Sequence, residues 1–188
     1  MPNLKPLRDY SEHDVLNGFY TLDGPMPTTK GNFVYVSSGY IPGESELVDL
    51  GDVGAHYTNT VAQRVGLQAK VKITTNSGQN AIGVLLYDYR ETDENGIPLR
   101  YDTNKQARMQ CLLSGQSAVI LREGLVSYSG INGGAVPIIG VTVGAPAFLG
   151  NDGGIQTSGS VTNAGVKKVG TFLSLPNAEG WTLVDIQL

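Results

Sequence analysis

Gly144-Ala145-Pro146-Ala147-Phe148-Leu149, Asn151-Asp152-Gly153-Gly154, Val169-Gly170-Thr171-Phe172-Leu173 and Trp181-Thr182-Leu183-Val184-Asp185-Ile186-Gln187-Leu188 follow one another in the last third of the chain. Their reading decides the fold. The apolar pieces have the length of strands rather than helices, and the last of them alternates with period two. The Gly and Asn residues between them supply the backbone conformations that turns demand. The stretch reads as a β-meander and carries no active-site chemistry.

The same grammar extends back toward residue 32. Phe33-Val34-Tyr35-Val36 is a strand followed by a loop with Gly39, Pro42 and Gly43. Residues 67–74 alternate, with Lys70 and Lys72 on the wet face, before a turn at Asn76-Ser77-Gly78. Residues 82–89 form a near-continuous apolar run, as a central strand requires. It leads into Glu91-Thr92-Asp93-Glu94-Asn95-Gly96, whose Asn-Gly pair predicts a hairpin tip. Residues 104–113 have helical propensity, but Ala107, Met109, Cys111 and Leu113 fall on alternate positions and predict a strand. Ser114-Gly115-Gln116 and Glu123-Gly124 are read as turns framing further strands, and residues 132–137 and 157–165 as loops. Short strands at this spacing predict an all-β fold, a small β-barrel or β-sandwich.

Residues 1–30 differ from residues 31–188, which form the predicted β domain. Pro2, Pro6, Pro25 and Pro27 withhold amide donors and fix φ. The segment is therefore predicted to be an extended N-terminal arm, with one turn around residues 11–14 capped by Ser11. Its aromatics argue against a disordered tail.

Composition narrows the function classes. Glycine fills 25 of 188 positions, about twice its ordinary ~7 % share, and suits a turn-rich β protein. A formal charge of −4 provides no electrostatic motive for binding nucleic acid or an anionic membrane. Cys111 is the only cysteine, which rules out an intrachain disulfide and a cysteine zinc cage. No run approaches the ~18 apolar residues that span a bilayer, and the opening residues lack the apolar centre of a signal peptide, so folding in a cytoplasm is expected.

Catalytic and metal motifs fare poorly. Glu91, Asp93, Asn95, Gly96 and Asp102 fall on calcium-loop positions, but the first should be Asp, the last a bidentate Glu, and no flanking helices are evident. His13 and His56 are far apart and pair with no nucleophile. Gly115-Gln116-Ser117-Ala118-Val119 lacks the closing glycine of a nucleophile elbow. Residues 150–154 lack the Lys-Ser or Lys-Thr of a phosphate loop. Cys111 reads as a small core residue, and Trp181 as core or the seal of a barrel end. Neither an enzyme, a metal nor a cofactor is expected.

Four stretches carry a resemblance: the C-terminal meander; Gly83-Val84-Leu85-Leu86-Tyr87-Asp88 with its acidic turn; residues 110–130 with their Ser-Gly-Gln break; and the opening Leu4-Lys5-Pro6-Leu7-Arg8-Asp9-Tyr10-Ser11-Glu12-His13-Asp14-Val15. Together they resemble the decoration, or cement, proteins of tailed-phage heads. The likeness covers most of the chain except residues 37–55, and the polar loop at 157–165 departs from it. It implies a non-enzymatic protein on the capsid exterior, made in the host cytoplasm, that binds the major capsid protein lattice and stabilises the head. Leu4, Lys5, Pro6, Leu7, Arg8, Tyr10, Phe19 and Tyr20 would be the arm's capsid contacts, adding a strand to a sheet edge of the capsid protein. Self-association as a homotrimer at threefold sites is implied, with dimers at twofold sites as the alternative. The competing class is a carbohydrate-binding or adhesive module, with Tyr87, Tyr89, Tyr101 and Tyr128 as its platform.

Overall fold

The computed structural model describes residues 2–18, 20–24, 26–39, 69–134, 140–157 and 165–188. Two six-stranded sheets and one two-stranded pair account for the strands among them. The outer sheet runs β1 (Asn3–Pro6), β10 (Glu123–Ser129), β14 (Thr182–Gln187), β13 (Lys168–Phe172), β11 (Pro146–Leu149), β12 (Ile155–Gln156). The central sheet runs β2 (Val15–Leu16), β9 (Ile120–Leu121), β6 (Gly83–Leu85), β4 (Phe33–Ser38), β5 (Lys70–Ile73), β3 (Thr21–Leu22). The pair is β7 (Asp88–Tyr89) with β8 (Cys111–Leu112). All-β is the observed class. Pairing is antiparallel except for β3 with β5 and β7 with β8, and the described strands close no barrel.

Alternation explains the layering. Along the central sheet, Phe33, Val84 and Leu121 point into a core shared with Val126, Tyr128, Phe172, Val184 and Ile186 of the outer sheet. Their neighbours Val34, Leu85 and Ile120 point the opposite way, into a second core with Tyr89 and, partly buried, Leu112 of the β7–β8 pair. The central sheet is thus buried on both faces, which is why residues 82–86 are continuously apolar. The order of layers is outer sheet, central sheet, then a lobe of residues 87–116.

The chain passes between the two sheets at Arg122, between β9 and β10. The expected turn at Glu123-Gly124 is a bend of this kind, in which one extended run changes sheets. Gly124 has φ +148°, and a Cβ there would lie 2.8 Å from the Tyr10 ring. The two sheets are also tied at the β11–β12 turn. There the Gly153 carbonyl accepts from the Phe33 amide at 2.7 Å, and a side chain at Gly153 (φ +77°) would meet Ile73 at 2.5 Å.

The N-terminal segment departs from the expected arm. Residues 3–21 run antiparallel to residues 129–117 across both sheets. Asn3 to Pro6 pair with Ser129 to Val126, the Tyr10 hydroxyl donates to the Leu125 carbonyl at 2.8 Å, and Asp14 O accepts from Arg122 N at 2.7 Å. Val15 and Leu16 then pair with Leu121 and Ile120, Tyr20 O accepts from Ala118 N, and Thr21 bridges Ser117. Leu4 is fully buried in the first core. The prolines that suggested a free arm are compatible with this, because Pro6 sits on an edge strand where no outward donor is needed. The predicted turn at 11–14 is present, with the Ser11 hydroxyl accepting from the His13 amide.

The expected strand at 104–113 is corrected as well. Thr103–Met109 is the helix α1, and only the residues after it form β8. Asp102 caps α1 by accepting from the Lys105 amide at 2.9 Å, which tips a segment of good helix formers away from strand. Gln110 in the left-handed region (φ 49°) ends it. Of the alternate apolar positions only Cys111 and Leu113 are buried, in a small cluster with Leu99. The expected turn at Asn95-Gly96 is found as a tight loop inside a Thr92–Pro98 bridge, with only Gly96 at positive φ.

Candidate interaction surface

An antiparallel sheet with one face on a core should show polar residues on the other. On the outer sheet that face is mixed, with Asn3, Lys5, Glu123, Ser127, Ser129, Asp185 and Gln187 standing among apolar side chains. Its outward positions follow from the register, in which Lys5 lies opposite Ser127, Ser127 opposite Leu183, and the Leu173 amide donates to the Leu183 carbonyl at 2.8 Å. The next row holds Leu125, Asp185, Thr171 and Pro146. Trp181, Leu183, Leu125 and Phe148 are half-buried on this face, and Pro146 and Leu173 are exposed. Leu175 and Val143, 64 % and 61 % exposed, flank its end. Six apolar side chains therefore lie on the solvent face along four strands, beside the carboxylates of Glu123 and Asp185, the latter's Oδ2 accepting from the Gln187 side-chain amide at 2.7 Å.

Trp181 belongs to this face and to neither core. The ammonium of Lys5 sits 4.0 Å from its ring centroid, a cation–π contact that reaches across β10 from β1 to the residue before β14. Arg8 lies over Tyr10 in a looser arrangement, 6.0 Å from the centroid.

The expected contact residues separate into two groups. Lys5, Pro6, Leu7 and Arg8 are exposed. Leu4 is core, Tyr10 is half-buried against Gly124, and Tyr20 packs against the second core; Phe19 lies outside the described residues. Burial pushes the Tyr10 phenol up, partly offset by backbone hydrogen bonding and by Arg8. The edge of β1 is also closed to an added strand. The Leu4 amide is taken by the Asn3 side chain at 2.8 Å, Pro6 has no amide proton, and a Cβ at Gly31 would lie 2.9 Å from the Asn3 backbone. The outward edge of β1 therefore has no free amide at Leu4 or Pro6 to offer an added strand.

Other singled-out residues have structural positions. Asp93 is buried, its carboxylate accepting from the Asn95 and Ile97 amides and from the Lys105 ammonium. These donors, the Lys105 ammonium first, hold its carboxyl below the usual range, and they take up the oxygens a calcium ion would use. No three His, Cys, Asp or Glu side chains converge among the described residues. Ser117 accepts from the Gly18 amide at 2.7 Å and donates to Asn17. His13 is exposed and His56 lies outside the described residues, as do residues 40–68 generally, most of the 157–165 loop and part of the 132–137 loop. Residues 150–154 form the expected turn, with the Gly150 amide on the Gly154 carbonyl at 2.8 Å. Cys111 is buried, and desolvation raises its thiol pKa, as befits a packing residue.

The tyrosine platform does not assemble. Tyr89 and Tyr128 are fully buried, their phenols raised by desolvation, while Tyr87 and Tyr101 are exposed. A break at residues 86–87 between β6 and β7 removes the shared face expected of Tyr87 and Tyr89.

Leu173, Leu183, Leu125 and Phe148 escaped the sequence reading. Their signal was present: in Trp181-Thr182-Leu183-Val184 both parities are apolar, so a strand with one buried face must leave apolar groups on the other. Compared with known protein families, curated proteins and solved structures, the chain finds no match.

Proposed function

We propose that this chain is a non-enzymatic decoration protein of a tailed-phage head, which binds the outer surface of the major capsid protein lattice through the outward face of its outer sheet. The reading rests on one observation: the outward side of the outer sheet carries Trp181, Leu183, Leu173, Leu125, Phe148 and Pro146, which belong to none of the hydrophobic clusters among the described residues. Apolar area of this kind on a folded β protein marks a contact with another protein, and the sequence resemblance supplies the partner. Lys5, Leu7 and Arg8 at the β1 margin provide the polar and aliphatic rim. Affinity comes from face burial, with repetition of sites over a lattice raising the effective concentration. A homotrimer at threefold positions gives three such faces per particle. No feature of the structure favours the carbohydrate-binding alternative, since two of its four tyrosines are core.

The test mixes purified protein with heads that lack it, counts bound copies per capsid protein, and follows head rupture on heating. Saturable binding at a fixed ratio, a higher rupture temperature and loss of both in Leu173→Glu are expected. Wild-type protein that leaves the heads bare overturns the reading, as does a Leu173→Glu variant that binds like wild type.

A further inference from the structure

Asn-Gly occurs three times in the chain, at Asn17-Gly18, Asn95-Gly96 and Asn132-Gly133. The pair is chemically labile as well as turn-forming. The main-chain nitrogen that follows an asparagine can attack the asparagine side-chain carbonyl, and glycine, with no Cβ, leaves that approach open. All three asparagines are exposed, so access to solvent does not separate them. Their hydrogen bonds do.

At Asn17 both reacting groups are held by one hydroxyl. Ser117 Oγ donates to Asn17 Oδ1 at 3.1 Å and accepts from the Gly18 amide at 2.7 Å, which fixes the side chain and engages the nitrogen that would attack it. Asn132 is held at both ends of its side-chain amide. Its Nδ2 donates to Thr157 Oγ1 and its Oδ1 accepts from the Thr157 amide, each at 3.0 Å. Asn95 differs from both. Its main-chain amide donates to Asp93 Oδ1 at 2.7 Å, but no hydrogen bond to another described residue holds its side-chain amide. Gly96 lies at φ +80°, a Cβ there would meet nothing within 4 Å, and its amide makes only a 3.2 Å bond to the Asp93 carbonyl.

We propose that Asn95 is a site of spontaneous deamidation and the first of the three to convert in the folded chain. The Gly96 nitrogen gives its proton to solvent base and bonds to Asn95 Cγ. The Cγ–Nδ2 bond breaks, and ammonia leaves with a proton taken from water. Water then opens the cyclic succinimide at either carbonyl, leaving aspartate or isoaspartate at position 95. The new carboxylate arrives beside Asp93 and Glu94, and isoaspartate adds a methylene to the main chain between the Asn95 and Ile97 amides. Both amides donate to Asp93 Oδ1, so conversion loosens this loop and, through Asp93, its link to Lys105 on α1.

The experiment incubates the full chain in warm, mildly alkaline buffer, folded and, in parallel, unfolded in urea. Peptide mapping by mass spectrometry follows the amide-to-acid mass gain at each Asn-Gly pair. In the folded chain Asn95 is expected to convert about tenfold or more faster than Asn17 and Asn132, because each of those must first give up hydrogen bonds; in urea the three rates converge. Converted protein is expected to show faster hydrogen exchange at Ile97 and Leu99, while Asn95→Gln keeps the exchange of fresh wild type after the same treatment. Conversion of Asn17 or Asn132 as fast as Asn95 in the folded chain overturns the assignment. So does an Asn95 that stays intact when folded, or one that leads by the same factor in urea. Unaltered exchange at Ile97 and Leu99 after conversion refutes the loosening.

Discussion

The N-terminal ribbon and the lobe are both additions to the central sheet, and they are held by different means. The ribbon, residues 3–21, is joined by backbone pairing along both sheets and by side chains such as Leu4 that are part of the main core. The lobe is joined through Tyr89, which also bridges Thr28, through Asp88, which accepts from the Lys30 amide, and through Leu112, and beyond these it is tied to itself by charged and amide side chains around Asp93, Glu91 and Gln116. A region sharing the core's cooperativity cannot be released without unfolding the whole, whereas a self-tied region opens locally. The ribbon is therefore a poor candidate for something handed to a capsid, and the outer face, which stays put while exposing apolar groups, is a better one.

Removing residues 1–20 should break this comparison most severely if it is wrong. The truncation strips Leu4 from the core and leaves β10 and β9 as raw edges, so loss of the cooperative thermal transition is expected; a normal melt would show that the ribbon is dispensable. The milder Leu4→Ala should cost about 2–5 kcal/mol, the usual range for a buried leucine, measured by denaturant titration.

Tyr128→Phe is the next largest. The Tyr128 hydroxyl, fully buried, donates to the Gly31 carbonyl at 2.8 Å. Deleting it leaves a buried acceptor unsatisfied, at a cost of about 1–3 kcal/mol. The loss should be global, because this bond ties the outer sheet to the segment leading into β4.

Lys105→Met should act on the lobe alone. Hydrogen exchange is expected to quicken at Ile97, Leu99 and Leu113 while the amides of β10 and β14 keep their protection; a uniform change would make the lobe part of the main cooperative unit. The same contact carries a pH signature. Because the Asp93 carboxyl is held below its ordinary range, the unfolded chain binds more protons between the two values. The contact stabilises above the ordinary carboxylate range and is lost as pH falls through the lowered value. Asp93→Asn should flatten that acid-side loss in the lobe.

Lys5→Ala is the smallest, about 0.5–1 kcal/mol for a cation–π pair at an exposed site, with a shift in Trp181 fluorescence as its marker.

How much of this was legible in the sequence follows from what alternation reports. Residues 141–188 reveal their strands because each strand has one buried face, and residues 82–86 because theirs has two. The ribbon was hidden because the partners of its first two strands lie 100 or more residues away and its strands are two to four residues long, too short to show a period. At residues 104–113 the alternation was accidental, and the Asp102 cap and Gln110 stop were the deciding signals. The outer face was readable from Trp181 and Leu183.

The central claim is that the ribbon stays within its own sheets while the proposed contact with the capsid is made by the outer face. Hydrogen exchange of the free protein against the protein bound to heads tests this directly. The account predicts new protection at residues 173–183, with residues 10–22 unchanged. Opening along residues 10–22, with the outer face still exposed, would contradict it and return the N-terminal segment to the role of a donated arm.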